Sequence, residues 1–187
     1  MFELKSFVKR LYNKLYVPLF RKKFLKCGSN VIFSPFDSVF TYGNIEVGNH
    51  VNIGYHADFV ATLSKIIIGD HVVFGPHVSI RGGNHRCDIV GRYVDTITDN
   101  EKLPDNDADV IFEGDNWIGM NVTILKGCVI GRGSIIGANS LVSKSTPPYS
   151  ICAGNPARVI KMRFTPQEIQ RHIKILKDDE EKNPNSL

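Results

Sequence analysis

The stretch that decides the fold is residues 117–141, which read WIGMNV-T-ILKGCV-IGRGSI-IGANSL. An aliphatic residue returns every six positions, usually followed by glycine, and a small or branched residue stands four places later; the aliphatic residues are Ile118, Ile124, Ile130, Ile136 and Val142. A period of six fits neither a helical turn nor the alternation of a half-buried strand. It predicts a coil with three sides, each one repeat long, in a turn of about eighteen residues with the aliphatic side chains on the axis.

The same period occurs earlier in the chain and is interrupted twice. Two runs keep the spacing: Val47, Ile53 and Phe59, and then Ile68, Phe74 and Ile80. Between these runs, about three extra residues within 61–65 are expected to form a small outward bulge. The next in-phase residue is Phe112, and the intervening residues, about 81–110, are polar and turn-rich. We expect a loop extruded from the coil, and long excursions of this kind are either functional or disordered.

Composition indicates an ordinary soluble domain. The chain has 187 residues, 42% of them hydrophobic and 22% charged. It has no apolar run long enough to span a bilayer, and charges interrupt residues 2–20, so we expect no signal peptide. The four cysteines form no Cys-x-x-Cys pair and have no histidine at zinc-ligand spacing. We therefore predict reduced thiols and no metal site, with Cys128 packed inside the coil.

Basic charge is concentrated at the amino terminus. The first 26 residues carry eight basic side chains against Glu3 alone, a net charge of +7, whereas the remainder is −3. Apolar residues recur there at three- and four-residue spacing, which predicts a basic amphipathic helix over 2–16 that Pro18 ends or kinks. Two roles are compatible with this helix: a cap on the open end of the coil, or attachment to an anionic membrane face. Because the charge is confined to one segment without an aromatic stacking pattern, we expect no nucleic-acid partner.

A capping box marks the start of a carboxyl-terminal helix. Thr165 is the predicted N-cap, Pro166 the first helical residue and Glu168 the third residue after the cap. The chain is thus expected to have three parts: a basic helical segment (1–28), a coil (29–162), and a terminal helix with a polar tail (163–187).

These features together resemble the hexapeptide-repeat acyltransferases. The resemblance rests on the hexads, on Asn84-His85 in the extruded loop, and on the segments 116–119, 136–144 and 153–160. It is strongest to the galactoside, maltose, nodulation-factor and xenobiotic O-acetyltransferases and to the sugar acetyltransferases of surface-polysaccharide pathways. It implies an all-β fold, a left-handed parallel β-helix, which is an exception to the right-handed crossover rule. It also implies a homotrimer with acetyl-CoA in a cleft between neighbouring coils.

Acetyl transfer to a hydroxyl requires a base, because an alcohol is a poor nucleophile until its proton is removed. Histidine titrates near neutrality and suits this task. His85 is the candidate, since it lies at the start of the loop, where the family's catalytic histidine falls. Asp88 or a backbone carbonyl is expected to orient its ring, and Asn84 and Asp58 are expected to bind the acceptor. Backbone N–H groups at the glycine-rich corners are the expected donors to the developing oxyanion.

The resemblance also assigns the residues that hold acetyl-CoA. Met120 and Ala138 match positions along which the pantetheine arm runs, although the family often has serine at the position of Met120. Basic and hydroxyl residues match positions that meet the phosphates of the cofactor, which favour cations: Ser143, Lys144, Arg158 and Lys161. Trp117 is either a substrate-binding residue that forms a wall of the thioester cleft or an exposed aromatic residue at a subunit seam.

The predicted function is acetyl-CoA-dependent O-acetylation of a sugar hydroxyl, in a glycan precursor or surface polysaccharide. The basic helix would suit a cytoplasmic enzyme that works beside the inner face of a membrane. N-acetylation of a nucleotide-linked amino sugar is the alternative, because a histidine base does not distinguish an amine from an alcohol. An antibiotic hydroxyl is a third acceptor class, and a non-catalytic structural or assembly module is an alternative of a different kind.

Overall fold

A computed structural model describes residues 16–182, except for the side chain of residue 180. Most of the predicted amino-terminal helix therefore lies outside the described residues. Residues 16–21 are helical, so the helix continues past Pro18 instead of ending there. Phe20 packs edge-on against Phe36, with ring centroids 5.5 Å apart, and Phe24 is buried. This end of the segment thus covers the first turn of the coil.

Three sheets form the sides of the coil. Sheet 1 contains β1 (Lys26–Cys27), β3 (Ile45–Val47), β6 (Ile66–Ile68), β9 (Val110–Phe112) and β12 (Val129–Ile130). Sheet 2 contains β4 (Asn52–Ile53), β7 (Val73–Phe74), β10 (Trp117–Ile118), β13 (Ile135–Ile136), β15 (Ser150–Ala153) and β16 (Arg158–Met162). Sheet 3 contains β2 (Val39–Phe40), β5 (Asp58–Val60), β8 (Ser79–Arg81), β11 (Thr123–Ile124) and β14 (Leu141–Val142).

Successive strands visit the sheets in turn, as expected for a three-sided coil. All neighbouring strands are parallel except β15 and β16, which are antiparallel. Ile118 pairs with Ile136, one eighteen-residue turn later. Phe59 pairs with Ile80, three residues further on than a regular turn requires. The extra residues lie within 61–65, between β5 and β6. The coil also begins at β1, before the predicted boundary at residue 29, since Lys26 and Cys27 pair with β3 although they carry no hexad.

The periodic aliphatic residues occupy the axis of the coil. Ile118, Ile124, Ile130, Ile136 and Val142 are fully buried. The small residues four places later are buried as well, including Cys128 and Ser134. In the turns before β10, aromatic side chains occupy the axis. The ring centroids of Phe59 and Phe74 are 5.2 Å apart, and those of Phe74 and Phe112 are 5.0 Å apart. Burial of this apolar column is the main stabilising contribution to the fold.

Non-glycine residues in the left-handed conformation turn the chain at two of the three corners. The residues with positive φ that follow strands of sheet 1 are Asn30, His50, His71 and Asp115. Those that follow strands of sheet 2 are His56, His77, Asn121 and Asn139. Asparagine and aspartate tolerate this conformation, and here histidine adopts it too. The rings of His56 and His77 stack at 4.7 Å, so these histidines are corner residues of the coil.

The third corner, between sheets 3 and 1, carries the insertions. Residues 82–109 leave the coil after β8 and return at β9. The two ends of this loop form a short antiparallel stem: Asn84 N–H donates to Asn106 O at 2.9 Å, and Ala108 N–H donates to Gly82 O at 2.9 Å. Further out, Glu101 accepts hydrogen bonds from the backbone and hydroxyl of Thr98 at 3.0 and 2.9 Å. The loop is therefore held in place largely by its own polar contacts.

The last described element is a helix that packs beside the coil, Pro166–Lys182. Both hydrogen bonds of the capping box are present: Glu168 N–H donates to Thr165 Oγ1 at 3.3 Å, and Thr165 N–H donates to Glu168 Oε2 at 2.8 Å. Arg163, just before the helix, is ion-paired with Asp115 at 2.8 Å. The helix is thus anchored at a corner of the coil.

Candidate active site

A cavity of about 420 Å³ opens where the loop leaves the coil. Its walls come from the ends of β5 and β8, from the bulge after β5, and from the loop; the lining residues are Val60, Thr62, Arg81, Gly83, Asn84, His85, Asp99, Lys102 and Asp107. Three sequence irregularities thus meet at one place: the bulge, the end of a run of hexads, and the loop. The cavity exists because the insertions fall at the same corner in successive turns of the coil.

His85 lies at this cavity with its imidazole exposed. Within residues 16–182 no hydrogen bond or ion pair to its ring is present. The neighbouring Asn84 is fixed by the stem, since its side-chain oxygen accepts a hydrogen bond from Asn106 at 3.0 Å. Both ring nitrogens of His85 are therefore available to a substrate, while the backbone beside the ring is held in place.

Asp88, the expected orienting partner of His85, binds a different residue. Its carboxylate accepts a hydrogen bond from Arg86 Nε at 2.7 Å. Arg86 holds the pKa of this carboxyl below its usual value, chiefly through that hydrogen bond. Arg86 also donates to Glu101 O at 2.7 Å, which ties Asp88 to the loop. In the described part of the chain the structure does not bring Asp88 and His85 together.

Asp58, an expected acceptor ligand, is engaged by an arginine that the sequence reasoning missed. Arg81 is ion-paired with the Asp58 carboxylate, and it donates to Asp58 O at 3.0 Å. Arg81 lines the cavity, and the side chains of Arg81 and Asp58 are 40% and 35% exposed. The sequence feature that could have identified Arg81 as a site residue is its position, directly after the last hexad of its run and four residues before His85.

Lys102 is a second cation that sequence reasoning missed. It is ion-paired with Asp99 and with Asp107, each at 3.1 Å, and its side chain is only 15% exposed. Burial acts to lower the pKa of Lys102, but the hydrogen bonds to the two aspartates outweigh it and raise that pKa. No local motif marks this contact, because Lys102 and Asp107 approach each other only where the loop folds back to its stem.

Met120 and Ala138, the residues expected along the pantetheine arm, lie on another corner, between sheets 2 and 3. Both are exposed, and they stack in successive turns, with Asn139 N–H donating to Met120 O at 3.0 Å. A Cβ on Gly119 would lie 2.6 Å from Ala138 N, so the turns approach so closely there that only glycine fits. Trp117, 57% exposed, stands on the outer face of sheet 2 between Val73 and Ile135.

The residues expected to meet the phosphates are all exposed: Ser143, Lys144, Arg158 and Lys161. Ser143 follows Val142, which pairs with Ile124 and through it with Ile80, so Ser143 lies on the corner that carries the loop. Arg158 and Lys161 lie on β16. Among the described residues no carboxylate forms an ion pair with Lys144, Arg158 or Lys161. Uncompensated, exposed cations fit a phosphate-bearing molecule such as acetyl-CoA.

Within residues 16–182 no helix has the length and apolar character needed to cross a membrane. The same residues contain no cluster of three or more histidine, cysteine, aspartate or glutamate side chains arranged to hold a metal ion.

Comparison with known proteins identifies the family. The family model for the bacterial transferase hexapeptide (six repeats) matches residues 109–144. A protein of Lysinibacillus sphaericus named as a probable macrolide acetyltransferase is 40% identical over 135 residues, which make up 66% of this chain and 73% of that protein. The chain belongs to the hexapeptide-repeat acetyltransferases, as its sequence predicted.

Two solved structures support the same assignment. An acetyltransferase from Vibrio cholerae, VCA0836, complexed with acetyl-CoA, superposes with a TM-score of 0.70 at 29% identity, covering 80% of this chain and 76% of that one. A galactoside acetyltransferase in complex with coenzyme A gives a TM-score of 0.67 at 29% identity, covering 79% and 70%. The bound molecules in these structures are consistent with acetyl-CoA as the co-substrate predicted from the sequence.

Proposed function

We propose that the protein transfers the acetyl group of acetyl-CoA to a hydroxyl of a sugar, in a glycan precursor or surface polysaccharide, with His85 as the general base. The observation that carries the proposal is the exposed imidazole of His85 at a polar cavity, where no residue within 16–182 forms a hydrogen bond or ion pair with the ring. The galactoside acetyltransferase of the same fold acts, by its name, on a sugar. The net charge of +7 over the first 26 residues supports work beside an anionic membrane.

In this reaction acetyl-CoA supplies an activated thioester. One nitrogen of His85 accepts the proton of the acceptor hydroxyl as the oxygen attacks the acetyl carbonyl carbon. The resulting imidazolium returns a proton to the departing sulfur, so His85 ends the cycle neutral. Backbone N–H groups at the corners are suited to stabilise the charge that develops on the carbonyl oxygen. Asn84 and Asp58 are the candidates for binding the acceptor, with Asp58 acting through its partner Arg81. Asp88 is the candidate for orienting the ring of His85, and it would act through the loop.

The candidate base and the corner expected to hold acetyl-CoA lie apart in one chain, and this placement supports a homotrimer. His85 lies at one edge of sheet 3, and Met120 and Ala138 lie at the other edge. The intervening segment, residues 120–125, spans roughly 15 Å at about 3.3 Å per residue. We therefore propose that the cleft forms between subunits, with His85 of one chain facing the acetyl-CoA held by another. The left-handed coil of the family would place these corners against each other.

This arrangement predicts complementation between defective subunits. Mixed oligomers of His85→Ala chains and Ala138→Trp chains should regain transfer that neither homo-oligomer shows, because one interface then combines an intact His85 with an intact acetyl-CoA corner. Ala138 is exposed, so a large side chain there blocks the corner without entering the core. Absence of recovery in mixed oligomers verified by native mass spectrometry would place the whole site within one chain.

The experiment that tests the proposed function is a transfer assay with labelled acetyl-CoA. The acceptor panel contains neutral glycosides, nucleotide-linked amino sugars and a macrolide, the last because of the name of the 40% identical relative. We expect label in an ester of a glycoside. Label only in an amide would replace the proposal by N-acetylation, label only in the macrolide would move the acceptor to an antibiotic, and absence of both acetyl-CoA binding and turnover would favour a structural module.

A further inference from the structure

We infer that the cavity at His85 selects an electrically neutral acceptor over an anionic one, because its two cations, Arg81 and Lys102, are already compensated by carboxylates of the same chain. The inference rests on the proposed function and narrows it: the acetylated hydroxyl belongs to an uncharged sugar, not to an acidic sugar whose carboxylate lies beside that hydroxyl.

The first compensated cation is Arg81. It uses Nη2 on the Asp58 carboxylate, and it uses Nη1 on the backbone oxygens of Asp58 at 3.0 Å and Ile80 at 3.2 Å. Asp58 and Arg81 lie on adjacent strands, β5 and β8, so two paired segments of backbone hold the contact. A guanidinium bound in this way still presents N–H donors to a hydroxyl or a ring oxygen. It has little net charge left to attract an anion.

The second cation, Lys102, has more than one counter-charge. Asp99 and Asp107 both lie 3.1 Å from its ammonium, and Asp107 is nearly buried, with its side chain 11% exposed. Together with the Arg81–Asp58 pair, these groups carry a net charge of −1, since two cations face three carboxylates. A carboxylate brought into the cavity would meet repulsion from this surplus at short range.

The remaining lining residues favour hydroxyl groups. Asn84 and Thr62 offer neutral donors and acceptors, and Val60 and Gly83 provide apolar surface. Carboxylates that are held by cations also accept hydrogen bonds from sugar hydroxyls. Alternating donors and acceptors with no free positive charge suit a neutral polyhydroxylated ligand.

The experiment compares methyl galactoside with methyl galacturonide, which differ only in a hydroxymethyl or a carboxylate at C6. For the unaltered protein we expect kcat/KM for the neutral glycoside to exceed that for the acidic one by at least about tenfold. Asp58→Asn keeps the shape but leaves Arg81 uncompensated. It should shift the ratio toward the acidic glycoside by about fivefold, the size of one partly exposed charge pair. Asp107→Asn should shift the ratio in the same direction but less, because Asp99 still faces Lys102.

The matched control is Glu46→Gln. It also removes one carboxylate from an ion pair, with Lys65 at 3.1 Å, but on sheet 1 and outside the cavity. The ratio of the two acceptors should not change in this variant, and thermal unfolding should show that all three variants fold. Equal or better use of the galacturonide by the unaltered protein, or an unchanged ratio in folded Asp58→Asn, would overturn the inference while leaving sugar acetylation intact. Transfer to neither glycoside, with acetyl-CoA still bound, would contradict the proposed function itself.

Discussion

At the scale of single residues, the surroundings of each candidate side chain determine the role that it can take. His85 has an exposed ring without a described partner, which suits a base that must reach a substrate proton. The carboxylates near it are bound elsewhere: Asp58 to Arg81 and Asp88 to Arg86. Neither aspartate could be matched to its arginine from sequence. The first pair joins neighbouring strands of the coil, and in the second case His85 lies only one residue further from Asp88 than Arg86 does.

Gly119 offers a residue-scale test of the corner that we assign to acetyl-CoA. A Cβ at this position would lie 2.6 Å from Ala138 N, a backbone atom that cannot rotate away. Gly119→Ala should therefore push the two turns apart, costing about 1–3 kcal/mol of stability, and it should weaken binding of coenzyme A. Denaturant unfolding and calorimetric titration measure the two effects.

The control for Gly119 is Gly43→Ala, since a Cβ there meets nothing within 4 Å. This variant should match the unaltered protein in both measurements. Equal stability and equal coenzyme A affinity in Gly119→Ala would show that the corner is looser than the structure indicates.

At the scale of elements, charged side chains hold the loop 82–109 in its observed shape. Glu101 accepts two hydrogen bonds from Thr98 and one from Arg92 at 3.2 Å. These contacts, those from Thr98 first, lower the pKa of Glu101 to about 2 from an ordinary value of 4.5. Because the folded pKa is lowered, the stabilisation is fully present above pH 4.5 and is lost as the pH falls toward 2.

An NMR titration of the Glu101 carboxyl tests this assignment. We expect a midpoint near the lower value in the unaltered protein and a shift upward toward 4.5 in Thr98→Ala, which removes the hydroxyl donor. Thr123→Ala, on β11 and away from the loop, is the control and should leave the midpoint in place. A midpoint at 4.5 in the unaltered protein would mean that Glu101 does not organise the loop.

At the scale of the whole molecule, stability comes from a column of buried side chains stacked turn upon turn. The repeat predicts that neighbouring isoleucines differ sharply in importance. Ile136 is fully buried on the axis, whereas Ile135 faces outward and is half-buried. Ile136→Ala should cost about 2–5 kcal/mol of unfolding free energy, the usual range for a buried isoleucine.

Ile135→Ala is the matched control and should cost much less, because its side chain is not on the axis. Both values follow from urea unfolding monitored by circular dichroism. Equal losses in the two variants would contradict the alternation on which the three-sided coil is based.

The sequence predicted most of the coil but only part of the site. The aliphatic position of each hexad predicts which residue points inward. The axial residues from Val47 to Val142 could therefore be assigned without a structure. The first strand, Lys26–Cys27, carries no hexad and was missed; it is held by its pairing with β3. His85 and Asn84 were singled out from the sequence by the start of the loop and by the family resemblance; both line the cavity, and their roles stay predictions. Arg81 was missed because its partner Asp58 is distant in sequence, and Lys102 was missed because its contact with Asp107 depends on how the loop folds.

The central claim is that His85 acts as the base in acetyl transfer, and the kinetics of His85→Ala test it most directly. The control is His50→Asn, at a corner where asparagine tolerates the positive φ of 55°. We predict that His85→Ala folds normally, binds acetyl-CoA with unchanged affinity, and loses about 10²–10⁴-fold in kcat, while His50→Asn keeps full activity. Turnover by His85→Ala at the rate of the unaltered protein would contradict the account.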